Sequence, residues 1–289
     1  MAISSSLGPE SEITLSGSTI RYRETGSGAP VLFVHGLLVN GDLWRNVVPA
    51  VAAAGFRCVT PDLPLGAHAV AVPNADLTPP GVAALIAEFV ERLDLRDVTV
   101  VANDTGGALT QLLMANHPER IGRVLLTPCD CFEEFLPQPF KAMPTLVAVP
   151  GVVTTMAKSL KIRALRRLPI AFGWLAKRPA PNEIVDNYLR PLQTDRAIRA
   201  DGRRFVRAID KRYTLDAVAK LRTFDKPIRL VWAAEDKVFK PALARRLHEA
   251  LPSSTLTFVD DSYTFVAEDQ PDVLAREIVT FARAGAAQR

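Results

Sequence analysis

The stretch VTVVANDTGGALTQLL, Val98–Leu113, decides the reading of this chain. Its first five residues are apolar or β-branched without a break, as in a strand covered on both faces. A tight turn follows at Asn103-Asp104-Thr105-Gly106, and from Gly107 to His117 apolar residues return at helical spacing. Asp104 therefore stands at a strand-to-helix turn, where the helix's first amides and the positive end of its dipole favour an ionised carboxylate. Such a turn can hold a phosphate or cap the helix. It can also present a nucleophile: the small residues Ala102 and Gly106 let strand and helix approach while the residue between them is held strained at the head of the sheet.

The same rhythm extends outward from the turn. Glu12 to Leu15 and Thr19 to Tyr22 flank Ser16-Gly17-Ser18 and read as an antiparallel hairpin. Val31 to Val34, Phe56 to Thr60 and Arg123 to Thr127 read as strands, with a helix over Gly81 to Leu93. After Cys129 the pattern breaks for roughly eighty residues of proline-punctuated helical sequence. It then resumes with strands at Ile228 to Trp232 and Thr255 to Val259 and helices at Pro241 to Ala250 and Asp272 to Ala284. Alternation of this kind implies an α/β fold with a parallel sheet. A helical insertion between two of its strands is expected to lie as a lid at their C-terminal ends, where ligands bind. The expected division is a core over 1–129, a lid over 130–215 and the rest of the core over 216–289.

Composition narrows the function. The 289 residues are 48% hydrophobic, enough for one large core. No apolar run reaches membrane-spanning length and the first ten residues lack the features of a secretory signal, so a soluble, cytoplasmic protein is expected, without membrane insertion. Cys58, Cys129 and Cys131 are too few for a disulfide framework and lack the partners of a zinc site. From Gly151 to Leu215 there are 15 Lys and Arg against 5 Asp and Glu, so this quarter of the chain carries +10 and the remainder −6. With no nucleic-acid motif nearby, that reads as a solvated helical face or as attraction for an anionic substrate or partner. There is no phosphate-binding loop or dinucleotide fingerprint, so no cofactor and no metal is expected. An oligomer is left open.

Other stretches fall into order around the turn. VLFVHGLLVNGDLW lies at the third expected strand, and its His35-Gly36 dipeptide resembles the oxyanion-loop motif of α/β-hydrolases. PDLPLGAHAV resembles the loop after their fourth strand, HPERIGRVLLTPCD their sixth strand, and WAAEDKVF the loop that supplies the triad acid. DDSYTFVAEDQPDVLAREI resembles the segment after the eighth strand. From about Ile13 to Phe281 the chain thus resembles an α/β-hydrolase. This implies a mostly parallel eight-stranded sheet with helices on both faces and a helical lid after the sixth strand. An aspartate at the elbow is similar to the haloalkane dehalogenase and epoxide hydrolase branch, in which the carboxylate attacks carbon and water then hydrolyses the resulting ester. That resemblance implies Asp104 as nucleophile, Asp236 as triad acid, and the amides of Leu37 and Thr105 as the oxyanion hole. His35 is expected to brace its loop.

Two departures stand out. Where the family places its histidine base, Ser262-Tyr263-Thr264-Phe265-Val266 places Thr264, whose hydroxyl cannot serve as a base near neutral pH. Of the four histidines only His68, in a loop that reads as exposed, could replace that base from the pocket mouth, while His35 is a candidate for the pocket wall. The halide-holding tryptophan of dehalogenase elbows is replaced by Thr105. Tyr188 and Tyr213 are the lid tyrosines that could protonate an alkoxide, while Tyr263 could donate into the pocket and Asp130 could face it. Without the imidazole, Asp104 and Asp236 would share a poorly solvated cleft, which raises their pKa and suits acid/base chemistry. The expectation is an enzyme using Asp104 on a small or medium apolar or anionic molecule, such as an epoxide, haloalkane or ester. The alternative is a non-hydrolytic ligand-binding or regulatory protein on the same scaffold.

Overall fold

A computed structural model describes residues 2–284. Eight strands form one sheet: β1 (Glu10–Leu15), β2 (Ser18–Thr25), β3 (Ala29–Val34), β4 (Phe56–Pro61), β5 (Val98–Asp104), β6 (Ile121–Cys129), β7 (Ile228–Ala233) and β8 (Ser254–Val259). Their order across the sheet is β1-β2-β4-β3-β5-β6-β7-β8. The β1–β2 hairpin and the β2–β4 pair are antiparallel and every later pair is parallel, so the apolar run of β5 lies in the middle, wholly buried.

The first three helices, α1 (Val48–Ala53), α2 (Pro79–Arg92) and α3 (Thr105–Asn116), follow strands of the parallel part. The start of α2 is fixed by Pro79 at its first position and by Thr78, whose side chain accepts from the Gly81 amide at 3.2 Å. After β6 come α4 (Met143–Leu146), α5 (Val152–Ser159), α6 (Asn182–Thr194), α7 (Arg196–Ala208) and α8 (Lys211–Leu221). The last three helices are α9 (Pro241–Ala250), α10 (Val266–Asp269) and α11 (Pro271–Ala284). Helices α1 and α11 pack together on one side of the sheet and α2, α3 and α8 on the other.

The inserted helical region sits where the sequence places it, but its far limit differs. The expected boundary at 215/216 falls inside α8, which packs along α3 and so joins the core layer. Helix α7 is tied to the loop after β4 through Asp201. Its Oδ2 accepts from the Val72 amide at 2.8 Å and lies 3.4 Å from His68 Nε2. That loop is therefore packed, and His68 is buried rather than exposed. All three cysteines are free and buried. Among the described residues no helix is long and apolar enough to cross a membrane.

The crossing of β3, β5 and α3 leaves no room for a side chain. A Cβ on Gly106 would come within 2.5 Å of the Val34 carbonyl oxygen and 2.6 Å of that of His35. Both obstacles are backbone and cannot swing away. Gly106→Ala is therefore expected to destabilise the protein by about 1–3 kcal/mol, measured by urea unfolding. An unchanged midpoint would show that the elbow has slack.

Candidate active site

Asp104 ends β5 with φ 55° and ψ −133°, a conformation rare outside glycine, and α3 begins at the next residue. This bend turns the carboxyl toward the loop after β3. The amides of Leu37 and Thr105 both hydrogen-bond to it. Gly36 lets that loop close down, because a Cβ there would fall 2.2 Å from Asp104 Oδ2. Only 9% of Asp104 is exposed, and burial pushes its pKa up to about 7 even though the two amides oppose the shift.

Two further carboxyls are buried in the same region. Asp130 follows β6; its Oδ2 accepts from Thr105 Oγ1 at 3.0 Å and its Oδ1 from the Leu136 amide at 2.7 Å. Burial first, and then the charge of Asp104, push its pKa well above the usual carboxylate range. Asp236 follows β7. Its Oδ1 accepts from the amides of Val238 and Phe239, both at 2.8 Å, and from Thr264 Oγ1 at 3.1 Å. Its Oδ2 is buried with no hydrogen-bond partner among the described residues. Burial raises Asp236 to about 7, against these hydrogen bonds, with the charge of Asp104 adding a smaller push. Repulsion between carboxyls is thus secondary here, and loss of water is the main cause.

The structure also joins a residue that the sequence reading passed over. Asn103 Nδ2 donates to Thr127 Oγ1 at 2.8 Å, the Pro128 carbonyl at 3.1 Å and the Thr264 carbonyl at 2.8 Å. One amide therefore ties the elbow to the end of β6 and to the Thr264 segment. The signal was present: an amide side chain at the end of an otherwise apolar buried strand needs partners.

The histidines lie elsewhere. His35 Nε2 accepts from the Leu63 amide at 2.8 Å, so Nδ1 carries the proton and donates to the Gly36 carbonyl at 2.8 Å. Burial lowers it to about 4, and the ring is neutral. His68 accepts from the Gly66 amide at 3.3 Å and faces Asp201. His248 is exposed, with Nδ1 2.8 Å from Ser254 Oγ, and His117 lines a surface groove beside Glu119 and Arg120.

Nor do the tyrosines gather at Asp104. Tyr213 is on α8 and packs against Ala83, Leu112 and Ala217, on the outer side of α3, so its placement in a lid pocket is corrected: the helix carrying it belongs to the core layer. Tyr263 turns its ring to Lys177 and Lys237, whose ammonium groups lie 5.3 and 4.5 Å from its centre. Tyr188 is buried and lines a separate cavity of about 650 Å³ under the lid. The cavity beside Leu37, lined also by Met143, Val147, Val153, Met156 and Leu192, is apolar and holds about 50 Å³. Ligand pockets usually span about 300–1,000 Å³, so this cavity is smaller than a usual ligand site.

The strand order, the strained aspartate between β5 and α3, and the helical insertion after β6 together decide the family. The chain belongs to the α/β hydrolase fold family. The family's profile matches residues 29–271. Within that family, this α/β hydrolase fold protein is 27% identical to a haloalkane dehalogenase of Mesorhizobium japonicum over 94% of this chain and 90% of the relative. It is also 27% identical to a non-heme chloroperoxidase of Kitasatospora aureofaciens over 86% of this chain and 90% of the relative. The crystal structure of a haloalkane dehalogenase from Bradyrhizobium elkani shares its fold with a TM-score of 0.81 at 24% identity, over 97% and 99% of the two chains.

Burial of Asp236 has a consequence for stability. Its pKa is about 7 in the folded state against 3.8 ordinarily, so between about pH 4 and 7 the folded chain keeps a proton that the unfolded chain has released. The associated stability is complete below pH 4 and is lost as pH rises through 7, by up to about 1.4 kcal/mol per pH unit. Asp236→Asn removes this loss. Relative to wild type, it is expected to be more stabilising at pH 8 than at pH 5 by roughly 1–3 kcal/mol, read by urea unfolding at both values. A difference that does not depend on pH would mean the carboxyl is ionised in the fold.

Proposed function

We propose that this protein is a haloalkane-dehalogenase-like hydrolase-fold enzyme in which Asp104 attacks an electrophilic carbon of a small organic molecule. One observation carries the reading. The Asp104 carboxyl is held by the amides of Leu37 and Thr105 at a strained elbow, while no histidine contacts it or Asp236 among the described residues. An ionised Asp104 oxygen forms a bond to carbon as the carbon–halogen bond breaks, and halide leaves with the electron pair. With an epoxide the ring C–O bond breaks instead, and the alkoxide takes the proton of Asp236, whose pKa is raised to about 7.

Thr264 carries the second half of the proposal. Its hydroxyl donates to Asp236, occupying the acid without supplying a base for water. The ester on Asp104 is then hydrolysed slowly and accumulates. A second reading, ligand binding without reaction, draws support from Thr264, which leaves Asp236 without a base beside it.

Incubation with 1-bromobutane or 1,2-epoxybutane is expected to add one butyl or one hydroxybutyl group per chain, respectively, by intact mass, mapped to Asp104 and absent from Asp104→Ala. With 1-bromobutane the rate should rise with pH through about 7, because only the ionised carboxyl attacks; with 1,2-epoxybutane it should peak near 7, because the proton on Asp236 is lost over the same range. Thr264→His should convert the stalled adduct into turnover. A wild-type protein that takes up no adduct at any pH, together with an inert but folded T264H, would favour the binding reading.

A further inference from the structure

The larger cavity, about 650 Å³, lies away from the three carboxyls and has a different chemistry. Arg163, Arg166, Arg167 and Lys177 line it, with Phe172, Val185, Tyr188 and Phe265 supplying apolar and aromatic wall. The only acid in that lining is Glu268, and it is taken: Arg45 binds its two oxygens at 2.5 and 2.7 Å. Lys177 is likewise paired, with Glu235 at 2.6 Å and Asp261 at 3.2 Å. The three arginines are less well matched. Asp186 is shared between Arg166 at 2.6 Å and Arg163 at 3.8 Å, and no acid pairs with Arg167 among the described residues.

Arg166 is the informative member. It is 7% exposed, its Nε donates to the Leu160 carbonyl at 2.7 Å, and one Nη2 bond reaches Asp186, so the guanidinium is held in place. Its Nη1 nevertheless is buried without a hydrogen-bond partner, and so is the hydroxyl of Tyr188 on the same lining. Two buried donors left unmade beside a cavity are costly unless something accepts from them. The surrounding sequence adds a further sign. From Phe135 to Asn182 the chain has eight Lys and Arg and no Asp or Glu. Ile162, Leu168 and Ile170, interleaved with the three arginines, are 59%, 44% and 50% exposed.

We propose that this cavity is a binding site for an amphiphilic organic monoanion, its acid group accepting from Arg166, Arg167 and Tyr188 and its hydrocarbon body lying on Phe172, Val185 and Phe265. A fixed guanidinium is suited to a carboxylate or phosphate head, and the apolar wall discriminates against small inorganic ions. The exposed Ile162, Leu168 and Ile170 give the hydrocarbon part a surface to meet first. The site stands whether or not Asp104 reacts, since none of its residues contacts that carboxyl.

The test uses octanoate as probe, with octanol and octylammonium as matched controls, by titration calorimetry on the full chain. Octanoate is expected to bind at least about tenfold more tightly than either control, and Arg166→Gln to weaken it by about tenfold. Arg166 also anchors Leu160 and Asp186, so R166Q can lose its fold. Arg167→Gln, at an exposed side chain, and Ala176→Phe, which fills the cavity, then carry the test. The first should weaken octanoate severalfold and the second should abolish binding, with the adduct assay at Asp104 unchanged in both. Sedimentation with vesicles of anionic or neutral phospholipid separates a lipid-borne acid from a free one. Pelleting only with anionic vesicles, lost in R167Q and A176F, assigns the site to lipid; binding of octanoate without pelleting assigns it to free acids. Equal affinity for octanol and octanoate, or affinity for octanoate unaltered in folded R167Q and A176F, overturns the proposal, as does failure to bind both octanoate and anionic vesicles.

Discussion

Removal of water from a single carboxyl group governs this molecule. Asp104 sits where a buried strand turns into a buried helix, and the bend that places it there is one most residues avoid. The two amides that reach it soften the cost of charge but do not cancel it, so the group stays near the midpoint of ionisation at neutral pH. The neighbouring architecture answers to that constraint. Gly36 and Gly106 keep side chains out of the approach, and Asn103 draws three separate segments together behind the bend.

Much of this organisation was legible in the sequence because the relevant signals are local. The apolar run of β5, the small residues around Asp104 and the proline-rich break after β6 each state their structure within a few residues; the observed strands extend the expected ones by up to three positions, while α2 and α3 begin two residues earlier and end one earlier than expected. The Asp104–Leu37 contact and the Thr264–Asp236 pair were reached only through resemblance, since they join residues far apart in the chain. Tyr213 and His68 were misplaced for a related reason. Helical spacing does not say which neighbour a helix will choose, and a loop rich in glycine, alanine and proline gives no sign that Asp201 will fasten it.

Electrostatics shows the same limit. Like charges in one poorly solvated cleft imply both repulsion and loss of water as causes for Asp104 and Asp236, without ranking them; enclosure outweighs repulsion for both. A sequence lists charges but not depth. At Asp236, Thr264 donates to one oxygen while the other is buried with no hydrogen-bond partner among the described residues. A carboxylate treated this way is better kept protonated, which changes what the site can offer a reacting molecule.

The inserted region is also moored unevenly. Arg203 holds the carbonyls of Val147 and Ala148 at 2.7 Å each, and Asp269 holds the amides of Lys177 and Arg178 at 3.0 and 2.7 Å. Between those two fastenings Arg166 ties the span to Asp186 of α6 at 2.6 Å, and Val153 and Met156 of the same span line the cavity beside Leu37. One continuous stretch of chain thus serves as party wall to both compartments, so any shift of it reshapes the two together.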